Sequence, residues 1–81
     1  MRTALYPHTM SKHDFQKLAF EREINSLISE GYFLRFKHDV VNGDMIAKLS
    51  HYTNGNTIIL GVFNGVMEFR KNGKIVKSYE V

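Results

Sequence analysis

The dipeptide Asn-Gly occurs four times in the second half of the chain, and this repetition constrains the fold more than any other feature. Each pair lies between runs that alternate apolar and polar residues. Asn-Gly favours a two-residue hairpin loop of type I′, because both central residues of that turn need a positive φ. The pairs are Asn42-Gly43, Asn54-Gly55, Asn64-Gly65 and Asn72-Gly73. They predict five antiparallel strands, at residues 32–40, 45–53, 56–63, 66–71 and 74–81.

A helix is predicted over residues 11–30, before the first strand. Ser11 suits the N-cap position, and Asp14 places a carboxylate in the first turn, where backbone amides are free. Gly31 ends the helical pattern. The apolar stripe that would pack on a sheet consists of Phe20, Ile24, Leu27 and Ile28. We therefore predict an α+β fold, with one N-terminal helix packed on one face of a five-strand antiparallel meander.

The 81 residues are expected to form a single domain, with residues 1–10 as an N-terminal arm, 11–30 as the helix and 32–81 as the meander. The sequence contains no cysteine, which excludes disulfides and cysteine metal sites. It also lacks the apolar run of a signal peptide and any apolar stretch long enough to span a membrane. We expect a cytoplasmic protein that has no membrane partner.

Two-residue loops would fix the strand pairing and so divide the side chains between two faces. The predicted pairs that close the hairpins are 41 with 44, 53 with 56, 63 with 66 and 71 with 74. The face toward the helix would carry Leu34, Phe36, His38, Val40, Met45, Ala47, Leu49, His51, Ile58, Leu60, Val62, Met67, Phe69 and Val76. A one-residue change in the first loop would exchange the two faces of the first strand.

The opposite face of the predicted sheet mixes aromatic, aliphatic and basic residues. A meander covered by one helix normally shows polar residues outward, so this face is expected to contact a partner. Lys37 is predicted directly opposite Lys48, a like-charge pair that an anionic partner would match. Phe33 and Tyr52 are predicted side by side. The candidate contact residues are Phe33, Arg35, Lys37, Ile46, Lys48, Tyr52, Ile59, Phe63, Arg70, Ile75, Lys77 and Tyr79.

Phe15 and Leu18 form a second apolar patch, because they project from the predicted helix away from its apolar stripe. Either the N-terminal arm or a partner would cover them. Residues 3–6 of the arm can add an edge strand, to this sheet or to that of a second subunit. Exchange of the arm within a homodimer is therefore a specific hypothesis.

The favoured function is that of a small non-catalytic protein-binding module, of the inhibitor or accessory type found in bacteria and phages. It would act through the exposed sheet face on another protein or on a second copy in a homodimer. The alternative is binding of single-stranded or structured nucleic acid, in which bases stack on the aromatic rings and basic residues neutralise phosphates. The net charge of +3 is small and no basic block is present, so charge alone does not indicate a nucleic-acid binder.

Few residues suggest catalysis, and we expect no enzymatic activity. No nucleophile motif or phosphate-binding loop occurs, and neither a cofactor nor a small-molecule substrate is predicted. His8, His13 and Asp14 would bind a metal only if the arm folds back. His38 and His51 are expected at the edge of the core, with a ring nitrogen hydrogen-bonded. The residues available for a ribonuclease-like acid/base site are His51, Arg35, Arg70 and Tyr79, of which the first is predicted on the face opposite the others.

Overall fold

A helix and a five-strand antiparallel meander make up the computed structural model, which describes residues 11–39 and 43–81. The elements are α1 (Lys12–Ser29), β1 (Tyr32–Asp39), β2 (Met45–His51), β3 (Thr57–Phe63), β4 (Val66–Lys71) and β5 (Lys74–Glu80). The strands form one sheet in the order β1-β2-β3-β4-β5, and α1 packs on one face of it, over β1, β2 and β3. The predicted α+β fold is confirmed. The arm at residues 1–10, Val40 and Asn42 lie outside the described residues.

Helix α1 begins and ends close to the predicted positions. Ser11 is the N-cap, and its hydroxyl oxygen accepts a hydrogen bond from the backbone N–H of Asp14 at 3.1 Å. This bond satisfies one of the amides that the first turn leaves free. Gly31 follows the helix with φ +101°, a left-handed conformation that turns the chain into β1. Within the described part of the chain, no helix is long and apolar enough to cross a membrane.

The core lies between α1 and one face of the sheet, called here the helix side. Phe20, Ile24 and Leu27 of the helix are buried there, whereas Ile28, which was predicted with them, is 46% exposed. The buried apolar residues of the sheet are Tyr32, Met45, Ala47, Leu49, Ile58, Leu60, Val62, Met67 and Phe69. The predicted helix side is therefore confirmed for β2, β3 and β4.

The two Asn-Gly pairs that join β3 to β4 and β4 to β5 form the predicted tight turns. The pair at 64–65 has φ values of 53° and 79°, and the pair at 72–73 has φ values of 52° and 90°. Positive φ at both central residues is typical of a type I′ turn. The strand pairs 63 with 66 and 71 with 74 are those predicted.

The pair Asn54-Gly55 lies in a longer loop than predicted. The backbone N–H of His51 donates to the carbonyl of Asn56 at 2.8 Å, so residues 52–55 form the loop. Asn54 keeps a negative φ and uses its side chain instead, because its Oδ1 accepts from the N–H of Asn56 at 2.9 Å. The longer loop displaces the pairing of β2 with β3 by two residues, which leaves the side-chain faces unchanged.

The register between β1 and β2 differs from the prediction in two places. Asp39 pairs with Met45, where the prediction paired it with Ile46. A bulge between Leu34 and Phe36 then shifts the register again, so that residues 32–34 return to the predicted faces. The side chains of residues 36–39 therefore lie on the opposite faces of the sheet from those predicted, whereas those of residues 32–34 lie on the predicted faces.

This reversal changes which β1 side chains meet the helix. Lys37 lies on the helix side, where its ammonium group pairs with the carboxylate of Glu21 in α1. Phe36 and His38 lie on the opposite face, so their prediction as core residues was wrong. The prediction that Lys37 faces Lys48 was also wrong, because the partner of Lys48 in β1 is Phe36.

A second bulge reverses the later part of β5. Ile75 keeps the predicted pairing, but Lys77 pairs with Phe69, so that Val76 is the extra residue. Lys77 and Tyr79 consequently lie on the helix side, although the prediction placed them on the opposite face. Val76, predicted in the core, is 59% exposed.

Candidate functional site

The sheet face opposite α1, called here the outer face, has no covering element among the described residues. Large apolar side chains stand exposed on it, such as Phe33 at 44% and Ile75 at 50%. Alternation along the paired strands assigns the face Phe33, Phe36, His38, Ile46, Lys48, Ser50, Thr57, Ile59, Gly61, Phe63, Val66, Glu68, Arg70, Ile75, Ser78 and Glu80. The outer face thus mixes large apolar side chains with polar and charged groups.

The centre of the outer face lies on β3, where Ile59, Gly61 and Phe63 follow one another. The ring of Phe63 lies over Gly61, since a Cβ on that glycine would stand 2.3 Å from the Cε2 atom of the ring. Glycine weakens a strand interior and is found where another group approaches the backbone closely. A depression of about 450 Å³ opens here, lined by Ile46, Ile59, Gly61, Phe63, Glu68 and Arg70.

Charged groups stand on both sides of this apolar centre. Lys48 of β2 and Arg70 of β4 are the two cross-strand neighbours of Ile59. The Nη2 atom of Arg70 lies 3.5 Å from Oε1 of Glu68, so its charge is partly neutralised. Lys48 has neither an ion pair nor a hydrogen bond with another described residue. A cation that no other described residue pairs with therefore lies beside the depression.

Most of the predicted contact residues are brought together on the outer face. These are Phe33, Ile46, Lys48, Ile59, Phe63, Arg70 and Ile75. Arg35 lies in the β1 bulge, and its guanidinium carbon is 5.8 Å from the centroid of the Phe33 ring. The basic group of Arg35 therefore reaches one end of the same surface.

The altered register of β1 excludes Lys37 from the outer face, and the bulge in β5 excludes Lys77 and Tyr79. The hydroxyl of Tyr79 donates to the carboxylate of Glu23 in α1. Burial, this hydrogen bond and the charge of Glu23 together raise the pKa of Tyr79 above its ordinary value of 10.0. The ammonium of Lys77 lies 4.8 Å from the centroid of the Phe69 ring, a cation–π contact on the helix side.

Tyr52, another predicted contact residue, lies in the loop between β2 and β3 and is 74% exposed. Its ring stacks on His51 with a centroid distance of 5.8 Å, and it does not stand beside Phe33 as predicted. His51 is held at both ring nitrogens: Nε2 lies 3.0 Å from the carbonyl of Glu30, and Nδ1 lies 2.9 Å from the hydroxyl of Thr53. Because a carbonyl only accepts, Nε2 carries the proton and Nδ1 accepts. His51 therefore joins the end of the helix to this loop.

The residues of the ribonuclease-like hypothesis do not converge. Arg70 lies on the outer face, whereas Tyr79 contacts the helix and His51 contacts the end of the helix. Among the described residues, no three His, Asp or Glu side chains are close enough to bind a metal ion. His8, a member of the metal hypothesis, lies outside the described residues.

Two features of the structure were not predicted. Phe36 and His38 join the outer face with their rings 5.1 Å apart, because the pairing of β1 with β2 differs by one residue from the prediction. Gln16 is buried, and its Nε2 donates to the carbonyl of Val81 at 3.3 Å. Gln16 lies four residues before Phe20, on the same side of the helix as the apolar stripe, and this spacing could have predicted its burial.

The second apolar patch consists of side chains that differ in burial. Leu18 is 39% exposed, and Phe15 is half-buried.

Comparison of the chain with family models, curated proteins and solved structures finds no match. The function is therefore argued from the geometry and chemistry of the outer face.

Proposed function

We propose that this protein is a small, non-catalytic protein-binding module that attaches to its partner through the outer face. The observation that supports the proposal is the exposure of Phe33, Phe36, Phe63 and Ile75, at 44%, 38%, 36% and 50%, on one face. The half-buried Ile46, Ile59 and Val66 lie between them, and exposed apolar surface of this kind marks interaction sites in soluble proteins. A cytoplasmic location belongs to the proposal, since a chain without cysteine needs no oxidising compartment to fold.

The edges of the sheet support docking on the face. Each of the outermost described strands, β1 and β5, contains a bulge. Lys37 lies on the first of them, and Lys74 and Lys77 lie on the other. Bulges and lysines on edge strands discourage pairing with a further strand. A sheet that is protected at its edges and apolar on its outer face favours a partner that packs on the face.

The size of the outer face fits a reversible contact. Five strands spaced by about 4.8 Å, with about six residues each at 3.3 Å, give a sheet of roughly 480 Å². A standard stable interface buries about 800 Å² per partner. An inhibitor or accessory factor that binds and releases its target suits this area, and a homodimer through the same face would be weak.

The second candidate function is binding of single-stranded nucleic acid on the same face, because its phenylalanine rings offer stacking platforms. The distribution of charge favours it less. Two of the predicted phosphate contacts, Lys37 and Lys77, lie on the helix side. Arg70 is already paired with Glu68. The protein-binding function therefore agrees better with the groups that the outer face presents.

Ile75→Asp and Ile28→Asp form a matched pair of variants for testing the proposal. The two isoleucines are similarly exposed, at 50% and 46%, but Ile75 lies on the outer face and Ile28 on the helix. Each variant and the wild type would serve as bait in a native lysate treated with nuclease, and retained proteins would be quantified by mass spectrometry. We expect partners to be retained by the wild type and by Ile28→Asp and lost from Ile75→Asp, because a buried carboxylate is costly. Equal retention by the two variants would refute the proposal.

A further inference from the structure

We infer that the outer face binds an acidic, apolar segment of a protein partner. In this arrangement an aliphatic or aromatic side chain enters the depression between Ile46, Ile59 and the Phe63 ring, and a neighbouring carboxylate pairs with Lys48. The inference rests on the proposed function and specifies the chemistry of the partner.

The depression is suited to an apolar side chain. The Phe63 ring lies over Gly61, and Ile46 and Ile59 complete the apolar lining of the depression. Its volume of about 450 Å³ lies within the ~300–1,000 Å³ of pockets that bind small ligands. Anchor side chains that fill such pockets at the centre of an interface supply most of its binding energy.

The charges beside the depression favour an acidic neighbour to that anchor. Lys48 stands directly across from Ile59 and has no ionic partner among the described residues. On the other side of Ile59, the charge of Arg70 is shared with Glu68. A carboxylate on the partner would therefore gain most at Lys48, which no carboxylate in the described part of the chain already pairs with. The net charge of +3 also steers an anionic partner toward the protein.

The other occupants match these groups less well. A second copy of the chain presents another Lys48 and the same net charge of +3, so the two copies repel each other at this position. Nucleic acid offers phosphate to Lys48 but leaves the aliphatic walls of Ile46 and Ile59 without an apolar partner. An acidic and apolar peptide satisfies both the depression and the cation.

The test uses a random-peptide phage library selected on the wild-type protein. We expect the enriched peptides to carry Asp or Glu close to an aliphatic or aromatic residue. Binding of a synthetic peptide, measured by fluorescence anisotropy, should weaken about tenfold or more in Lys48→Glu, which reverses the cation at the interface. Lys71→Glu makes the same charge change on the helix side, where residue 71 pairs with Ile58, and should change the affinity by less than about twofold.

The variant Phe63→Asp separates failure of this inference from failure of the proposed function. Peptide binding that is lost in Phe63→Asp but unaffected by Lys48→Glu keeps the outer face as the site and overturns the acidic chemistry. Binding that neither variant affects overturns both. Enrichment of neutral or basic peptides, or no enrichment, overturns the inference. So does tighter binding of a mixed-sequence single-stranded DNA, or a dimer seen by light scattering that Phe63→Asp dissociates. Circular dichroism of each variant confirms that it is folded.

Discussion

Replacing Gly31 with alanine is expected to destabilise the protein by about 2–4 kcal/mol, from two separate sources. The residue has φ +101°, and a left-handed conformation costs a residue with a Cβ about 1–2 kcal/mol. The new Cβ would also stand 2.6 Å from Nε2 of His51, so the ring must move. Moving it breaks the hydrogen bonds to Glu30 and Thr53, each worth about 1 kcal/mol or less.

Urea denaturation of Gly31→Ala and Gly55→Ala measures the two sources separately. Gly55 has φ +73°, and no atom lies within 4 Å of a Cβ placed there, so only the backbone cost of about 1–2 kcal/mol is expected. In a His51→Ala background, Gly31→Ala should lower the free energy of unfolding by only the backbone cost of about 1–2 kcal/mol, because the ring that obstructs the Cβ is gone. Equal costs for the two glycine variants in the wild-type background would show that the contact between Gly31 and His51 does not constrain this turn.

Two further predictions test the corrected faces of the edge strands. A double-mutant cycle of Lys37→Ala and Glu21→Ala should give a coupling free energy of about 0.5 kcal/mol at low salt, because the ion pair is partly exposed. High salt should reduce this coupling by screening the charges. Zero coupling at low salt would contradict the helix-side position of Lys37. Because burial and contact with Glu23 raise the pKa of Tyr79 above 10.0, the stability it contributes is complete below pH 10 and falls as the pH rises further. Ultraviolet titration of tyrosinate in the wild type and Tyr79→Phe measures this, and a Tyr79 that ionises at its ordinary pKa would be evidence against the contact.

The helix, the strand order and two of the tight turns were predictable because each depends on neighbouring residues. Ser11 caps the helix next to it, and Asn64-Gly65 needs only its own backbone conformation to form a type I′ turn. The loop around Asn54 was predicted too short, yet an error of two residues leaves every side chain on its face. The central strands of the outer face were therefore predictable even where the pairing was not.

The faces of β1 and β5 were not predictable, because a bulge is decided by packing with distant residues. In β5 the extra residue Val76 lets Tyr79 reach Glu23 of the helix. In β1 the altered register brings Lys37 to Glu21 and releases Phe36 to the outer face. These contacts join residues far apart in the chain, so no local pattern of apolar and polar residues reports them. The outer face is consequently less basic than its sequence suggested, because it gains Phe36 and His38 and loses Lys37 and Lys77.

The measurement that tests the central claim most directly is site-specific photo-cross-linking in the cells that produce the protein. The photoreactive residue p-benzoylphenylalanine would replace Phe63 on the outer face and, in a control protein, Ile28 on the helix, which is the more exposed of the two. If the outer face is a protein-contact surface, a discrete protein adduct forms at position 63 and none forms at position 28. The absence of a protein adduct at position 63, or equal adducts at both positions, would contradict the account.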